Sequence, residues 1–199
     1  MKIFVVRHGD KEKGDYYNKS LRHQDTPLSE IGVQKARDLV GYFKPIQIKR
    51  IIASEYVRTN QTAQYIAEDK GIQVLADKRL NEIDNGTIEM MDKEEIAEKY
   101  PEFWHDYLEG KKDFRFPEGE SGEEVKERQI DLLNELIEND EDVLLVSHDG
   151  FMRQLICSLL DIPVYRRRNF KVDLCGIMEF EFDKEAKALR IIKINQTLT

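Results

Sequence analysis

Short apolar runs alternate along this chain with longer stretches in which apolar residues recur every three or four positions. Ile3-Phe4-Val5-Val6 is continuous and predicts a strand buried on both faces. Ser29, just after Pro27, sits where a helix N-cap belongs. Ile31, Ala36, Leu39, Val40 and Phe43 then predict a helix to about residue 43, ended by Pro45. Ile51-Ile52-Ala53 predicts a second strand, followed by a helix over 56–69 that Gly71 terminates, with Val74-Leu75 as a short third strand. Residues 93–99 and 102–108 read as two short helices broken at Pro101, and the polar stretch 111–122 reads as a loop. Val125, Ile130, Leu133 and Ile137 mark an amphipathic helix over 123–138. A fourth buried strand over 143–146 and a helix over 151–160 follow, and β-rich runs over 177–182 and 189–194 close the chain.

Alternation of this kind predicts an α/β three-layer sandwich, a mostly parallel central sheet with helices on both faces. With no repeat, linker or low-complexity tract, residues 1–199 are expected to form a single domain. The apolar fraction of 40% suits a folded chain, and the net charge of −8 disfavours nucleic acid or an anionic membrane as a partner without excluding a local cationic pocket. The apolar run at 3–6 is too short for a signal peptide and no run is long enough to cross a bilayer, so the expectation is a cytoplasmic protein. Cys157 falls at an apolar helical position and reads as a buried reduced thiol.

Open sheets of this class bind ligands beyond the carboxyl ends of their strands. Arg7-His8-Gly9 follows the first strand, Ser54 through Arg58 the second, and Ser147-His148-Asp149-Gly150 the fourth. Arginines beside the histidines would repel a metal cation, whereas their planar forks suit an oxyanion, above all phosphate. A histidine with one ring nitrogen fixed and the other facing the ligand can itself be a nucleophile. Gly9 and Gly150 let backbone approach a bound group.

At these blocks the chain resembles the histidine phosphatase, or phosphoglycerate mutase-like, superfamily. Val6-Arg7-His8-Gly9 is similar to its N-terminal signature. Thr26 through Gly32 with Gln34 and Ala36, Ala53-Ser54 through Ala63, Leu80 through Gly86 with Glu89, Gly119-Glu120-Ser121, and Val146-Ser147-His148 resemble its later motifs in order. The resemblance implies that His8 attacks phosphorus and carries a phosphohistidine. Arg7, Arg58 and His148 would bind the equatorial oxygens, with His148 favoured as a cation by the phosphate beside it, and Glu82 would serve as acid and then base, a role suited to a carboxyl whose pKa is raised toward neutrality. Gly9, Asn18 and Asp149 are the further substrate-binding candidates. No metal and no cofactor is implied, and segment 90–122 is expected to cover the pocket.

The chain departs from the pattern in places. Asp10 and Lys11 stand where Glu or Gln and then Ser or Thr are usual, and Gly14 stands at the usual Asn, leaving Asn18 as the remaining candidate for that contact. An Asp after the signature glycine also occurs in small phosphohistidine phosphatases of the superfamily. Asp149 replaces a glycine, and its side chain is expected to point away from phosphate. Met90 also replaces a glycine and is expected to pack. The loop 10–24, with Lys11, Lys13, Lys19, Arg22 and His23, reads either as a solvated surface or as a screen for a second anionic group. Arg166-Arg167-Arg168 reads as a solvated turn, with recognition of an anionic substrate as the other reading, and His105 reads as structural.

The leading expectation is a metal-independent phosphomonoesterase acting on a small phosphorylated metabolite. Three alternatives compete: a phosphoglycerate-type mutase, a phosphatase acting on phosphoprotein (phosphohistidine), and a non-catalytic phosphate-binding module. A homodimer is compatible with the sequence.

Overall fold

The computed structural model describes residues 1–198. Strand β1 (Lys2–Arg7) lies in a six-stranded sheet. Its other members are β4 (Arg50–Ala53), β5 (Val74–Ala76), β6 (Val143–Ser147), β7 (Ile177–Asp183) and β8 (Ala188–Gln196). The order is β5-β4-β6-β1-β7-β8. The pairings β5–β4, β4–β6 and β6–β1 are parallel, whereas β7 runs antiparallel to both β1 and β8. A small hairpin, β2 (Tyr17–Asn18) with β3 (His23–Gln24), stands apart from the sheet.

The two faces of β1 show why its apolar run is continuous. Phe4 and Val6 pack with Leu39 and Phe43 of α1 (Glu30–Phe43) and with Ala63 and Ile66 of α2 (Val57–Lys70). Ile3 and Val5 face the other layer, where Leu132, Leu133 and Leu136 of α5 (Gly122–Asn139) join Met152, Leu155 and Ile156 of α6 (Asp149–Leu159). With helices over both faces, alternate side chains on each strand have a core to enter.

Local signals act as read, with some shifts of face. Ser29 caps α1 by accepting from Gly32 N–H, and Gly71 ends α2 in the left-handed region at φ 65°. Ser121 and Glu124 form a capping box on α5, as Asp92 and Glu95 do on α3 (Lys93–Lys99). Pro101 starts α4 (Pro101–Glu109) at its first turn, where its missing N–H costs nothing. Ile31 and Ile130, predicted to face the core, are 65% and 42% exposed; the buried stripe of α5 runs through Gln129 and Leu132 instead. Cys157 and Cys175 are both buried free thiols. A third cluster, Ile83, Phe114, Phe116 and Val125 with Phe103 and Tyr107 against it, holds the irregular segment to α5.

Because β4, β6 and β1 are adjacent and parallel, their carboxyl ends emerge side by side. The ladders run on past the strands: His8 N–H donates to Ser147 O (3.0 Å) and Ser54 N–H to Val146 O (3.1 Å).

Candidate active site

His8 leaves β1 with its ring almost fully enclosed, 6% of the residue being exposed. A carbonyl can only accept, so Nδ1 carries the proton and donates to Gly9 O at 2.7 Å, leaving Nε2 as the ring's lone-pair nitrogen. Burial pulls the imidazole pKa down to about 3; Arg58, Arg7 and Lys11 add to the shift and the Gly9 bond opposes it. His8 is therefore neutral at pH 7, the state in which Nε2 is nucleophilic.

Arg58 lies in the first turn of α2, 5% exposed. It donates to Gln24 O (3.0 Å) and to His148 Nδ1 (3.1 Å), and it stacks 4.4 Å from the Tyr56 ring centroid. Arg7 donates to Val172 O (2.5 Å) and stands 3.4 Å from Asp149 Oδ1. Among the described residues, the Nε–H of each arginine is buried with no acceptor. Two guanidiniums with spare donors beside a neutral imidazole make a site for a tetrahedral oxyanion.

His148 is fully enclosed, 5.3 Å from the His8 ring centroid. Arginine is always a donor, so Nδ1 of His148 accepts from Arg58, and Nε2–H donates to Ser54 Oγ at 2.8 Å. Burial, then Arg58 and His8, hold its pKa well below the ordinary range. With Nδ1 accepting from a guanidinium, His148 is neutral in this arrangement.

The Glu82 carboxylate sits over the start of α6. Oε1 accepts from Ile83 N–H and Phe151 N–H (both 3.0 Å), and Oε2 accepts from Gly150 N–H (3.2 Å). A Cβ at Gly150 would come within 2.6 Å of Oε1, so glycine is what admits the carboxylate here. Arg128 of α5 fixes the segment from behind. It donates to Arg79 O (2.7 Å) and Glu82 O (3.4 Å) and forks onto Glu120 through Nε (2.8 Å) and Nη2 (3.0 Å); Glu120 Oε2 in turn accepts from Asp84 N–H at 3.0 Å.

Motif residues beside the histidine shape the loop. Thr62 Oγ1 accepts from Gly9 N–H (3.1 Å) and Gln61 Oε1 from Leu28 N–H (2.8 Å), tying α2 to both ends of the 9–28 excursion. Gly32 lies so close to Asp10 O that a Cβ would be 2.0 Å from it. A cavity of about 350 Å³ is lined by Tyr56, Glu82, Asp84 and Arg128, and one of about 200 Å³ by Glu82, Gly150, Tyr107 and Phe116. The larger cavity of about 660 Å³ touches Arg7 and Asp149 but not His8, so size alone does not mark the site.

The sequence over residues 3–195 matches the histidine phosphatase superfamily (branch 1). The chain belongs to this superfamily. A relative from Cronobacter sakazakii named "Probable phosphoglycerate mutase GpmB" is 31% identical over 189 residues, covering 92% of this chain and 86% of that protein. Among solved structures, the alpha-ribazole phosphatase of Shigella flexneri superposes with a TM-score of 0.81 at 22% identity, covering 98% of this chain and 96% of that one. A mycobacterial glucosyl-3-phosphoglycerate phosphatase does so at 0.79 and 23%, covering 99% of each. A phosphoserine phosphatase of Entamoeba histolytica does so at 0.78 and 24%, covering 98% and 96%. At these structural identities the likeness is one of fold.

As a histidine phosphatase superfamily chain, this protein brings Arg7, His8, Gly9, Arg58, Glu82 and His148 to one sheet edge, but several expectations need correction. The Asp149 carboxylate is held between two arginines: Oδ1 faces Arg7 and Oδ2 accepts from Arg153 at 3.0 Å. Asn18 is committed to the loop, donating to Asp25 Oδ2 (3.2 Å) and accepting from Ser20 N–H (3.0 Å). Met90 does not pack in a core; it is 57% exposed, with its sulfur 3.0 Å from Gln24 Nε2. His23 is no solvated loop residue but is buried, with Nδ1 3.0 Å from Glu89 Oε1. Arg166 to Arg168 form part of a 3₁₀ turn, Val164–Asn169, in which Arg167 is buried. His105 is exposed on α4, as expected of a surface position.

Sequence reasoning assigned no role to Tyr56, Thr62 or Arg128. Tyr56 packs on both Arg58 and His148, the latter at 4.6 Å between centroids. Thr62 and Tyr56 lie inside a quoted motif and could have been weighed there. Arg128 lies on a charged helix with nothing local to distinguish it.

Proposed function

We propose that this protein is a metal-independent phosphomonoesterase that hydrolyses a small phosphorylated metabolite through a phosphohistidine on His8. The observation that carries the reading is the neutral, buried His8, with Nδ1–H held by Gly9 O and Nε2 unbonded beside Arg7 and Arg58. Nε2 attacks phosphorus; the P–N bond forms as the P–O bond to the leaving alcohol breaks, and Glu82 gives that oxygen its proton. Arg7 and Arg58 neutralise the equatorial oxygens, and His148 joins them once phosphate draws its Nδ1 away from Arg58 and favours the charged ring. Water then attacks phosphorus, Glu82 takes its proton, and the P–N electrons return to His8. Arg7, Arg58 and Lys11 supply fixed positive charge where another phosphatase would use a cation. The modest cavities against Glu82, with Tyr107 and Phe116 of segment 90–122 on one wall, favour a small metabolite over a protein side chain.

The test is hydrolysis of p-nitrophenyl phosphate in EDTA by wild type, His8→Ala and Glu82→Gln. Metal-free turnover that falls at least about a thousandfold in His8→Ala is expected. Turnover that survives His8→Ala would sink the proposal. The mutase reading rests on the name borne by relatives near 30% identity. It would prevail if 31P NMR showed interconversion of 2- and 3-phosphoglycerate outpacing phosphate release.

A further inference from the structure

The cavity of about 200 Å³ has one wall at Glu82 and Gly150 and another formed by Arg153, Arg167 and Arg168. Its three guanidiniums, with Arg7 shared through Asp149, make four cations against three carboxylates, Glu82, Asp149 and Asp113, the last 3.7 Å from Arg167. The space therefore carries surplus positive charge.

Its donors are also underused. Arg153 gives Nη1 to Asp149, while its Nε–H is buried without an acceptor. Arg167 is 4% exposed, yet its Nη1 reaches only Val164 O (3.2 Å) and lies 3.7 Å from Asp113 Oδ1. Stacking on Phe114, 4.9 Å from guanidinium carbon to ring centroid, holds its plane. Arg168 is held over the Tyr107 ring (4.3 Å) and bonded to Tyr107 O, which presents it from the rim. A buried guanidinium with as few acceptors as Arg167 has is costly unless an anion completes it.

We propose that this cavity is the leaving-group subsite and that its three arginines select phosphomonoesters whose alcohol carries a second anionic group, a carboxylate or another phosphate. The proposal rests on the reading that Glu82 protonates the leaving oxygen, because that role puts the alcohol next to Glu82; of the two cavities that Glu82 lines, this one also holds Asp149, 3.4 Å from Arg7 of the phosphate site. Arg167 and Arg168 of the basic triplet, which the sequence left between a solvated turn and recognition of an anionic substrate, thereby become part of substrate selection. Arg168 stands where solvent can still reach it, so it is the residue to change without disturbing a core.

The experiment compares phenyl phosphate with 4-carboxyphenyl phosphate, which differ by one carboxylate. Dissociation constants are measured by calorimetry on His8→Ala protein, which cannot turn either over, so the result does not depend on hydrolysis. The carboxylated probe is expected to bind about tenfold more tightly, the size of one charge-assisted hydrogen bond. Adding Arg168→Gln should remove most of that preference, Arg168→Glu should reverse it, and Arg166→Gln, two residues away and outside the cavity lining, should leave it intact. Equal affinities in the parent protein, failure of the carboxylated probe to bind, or a preference unmoved by Arg168→Glu would each overturn the proposal. Wild-type hydrolysis of the same pair reports separately on the phosphatase reading: loss of turnover with retained binding preference would refute that reading and leave the subsite standing.

Discussion

Gly150→Ala separates stability from chemistry at one atom. The new Cβ would stand 2.6 Å from Glu82 Oε1, 3.3 Å from Glu82 Cδ and 3.2 Å from Ile83 Cδ1. Restoring an ordinary contact of 3.4 Å demands that the carboxylate oxygen move about 0.8 Å. Oε1 cannot do so while keeping its bonds to Phe151 N–H and Ile83 N–H, and turning the carboxylate also disturbs the Oε2 bond to Gly150 N–H. The backbone has no objection to alanine, since Gly150 lies in α6 without a positive φ. Alanine adds up to about 0.5–1 kcal/mol of helix propensity, which offsets the weakened carboxylate bonds at the helix start. The melting temperature should therefore stay within about 3 °C of wild type. A displaced proton donor of this size costs about a hundredfold in kcat on ethyl phosphate, whose leaving group needs the proton. With p-nitrophenyl phosphate, whose leaving group departs unassisted, the loss should be under about tenfold. Initial rates on both esters with matched thermal melts decide it. An ethyl phosphate rate within about threefold of wild type, or equal losses on the two esters, would refute the placement of Glu82 as the acid.

Two further outcomes follow from the same geometry. His8, with its pKa lowered to about 3, and His148, also lowered, bind fewer protons folded than unfolded below about pH 6.5, so stability is lost as pH falls from there toward 3. Between pH 7 and 5 His8 contributes a loss of about 2 kcal/mol, and His148 adds to it in the same direction; denaturant melts at both pH values should show it, with a smaller drop in His8→Gln, and a pH-independent midpoint would contradict the assignment. Thr62→Val keeps the shape of a fully buried residue but strips Gly9 N–H of its acceptor. It should cost about 1–3 kcal/mol in urea and lower kcat through the loosened His8 anchor, both restored by Thr62→Ser.

How much of this was legible in the chain differs from element to element. Ser29, Gly71 and the apolar run 3–6 produce the cap, the stop and the central strand expected of them, because each acts through its own backbone or nearest turn. The residues after β1, β4 and β6 could be expected to converge because parallel strands place equivalent ends at one edge, and the ordered motifs identified the superfamily.

Contacts across the fold were a different matter. The direction of β7, the exposure of Ile31 and Ile130, and the burial of Arg167 and His23 depend on which neighbour each element meets. Asp149 could be read as repelling phosphate, but only the approach of Arg7 and Arg153 shows its charge to be already engaged. The free-state charge of His148 likewise follows from its enclosure and from Arg58, 90 positions away in sequence, rather than from its motif. The local elements and the superfamily could be read along the chain, since periodicity, caps and motifs are written in neighbouring residues. How the side chains at the sheet edge are protonated, paired and walled in needed the folded arrangement, because burial and Coulomb forces act through space between segments that the chain keeps far apart.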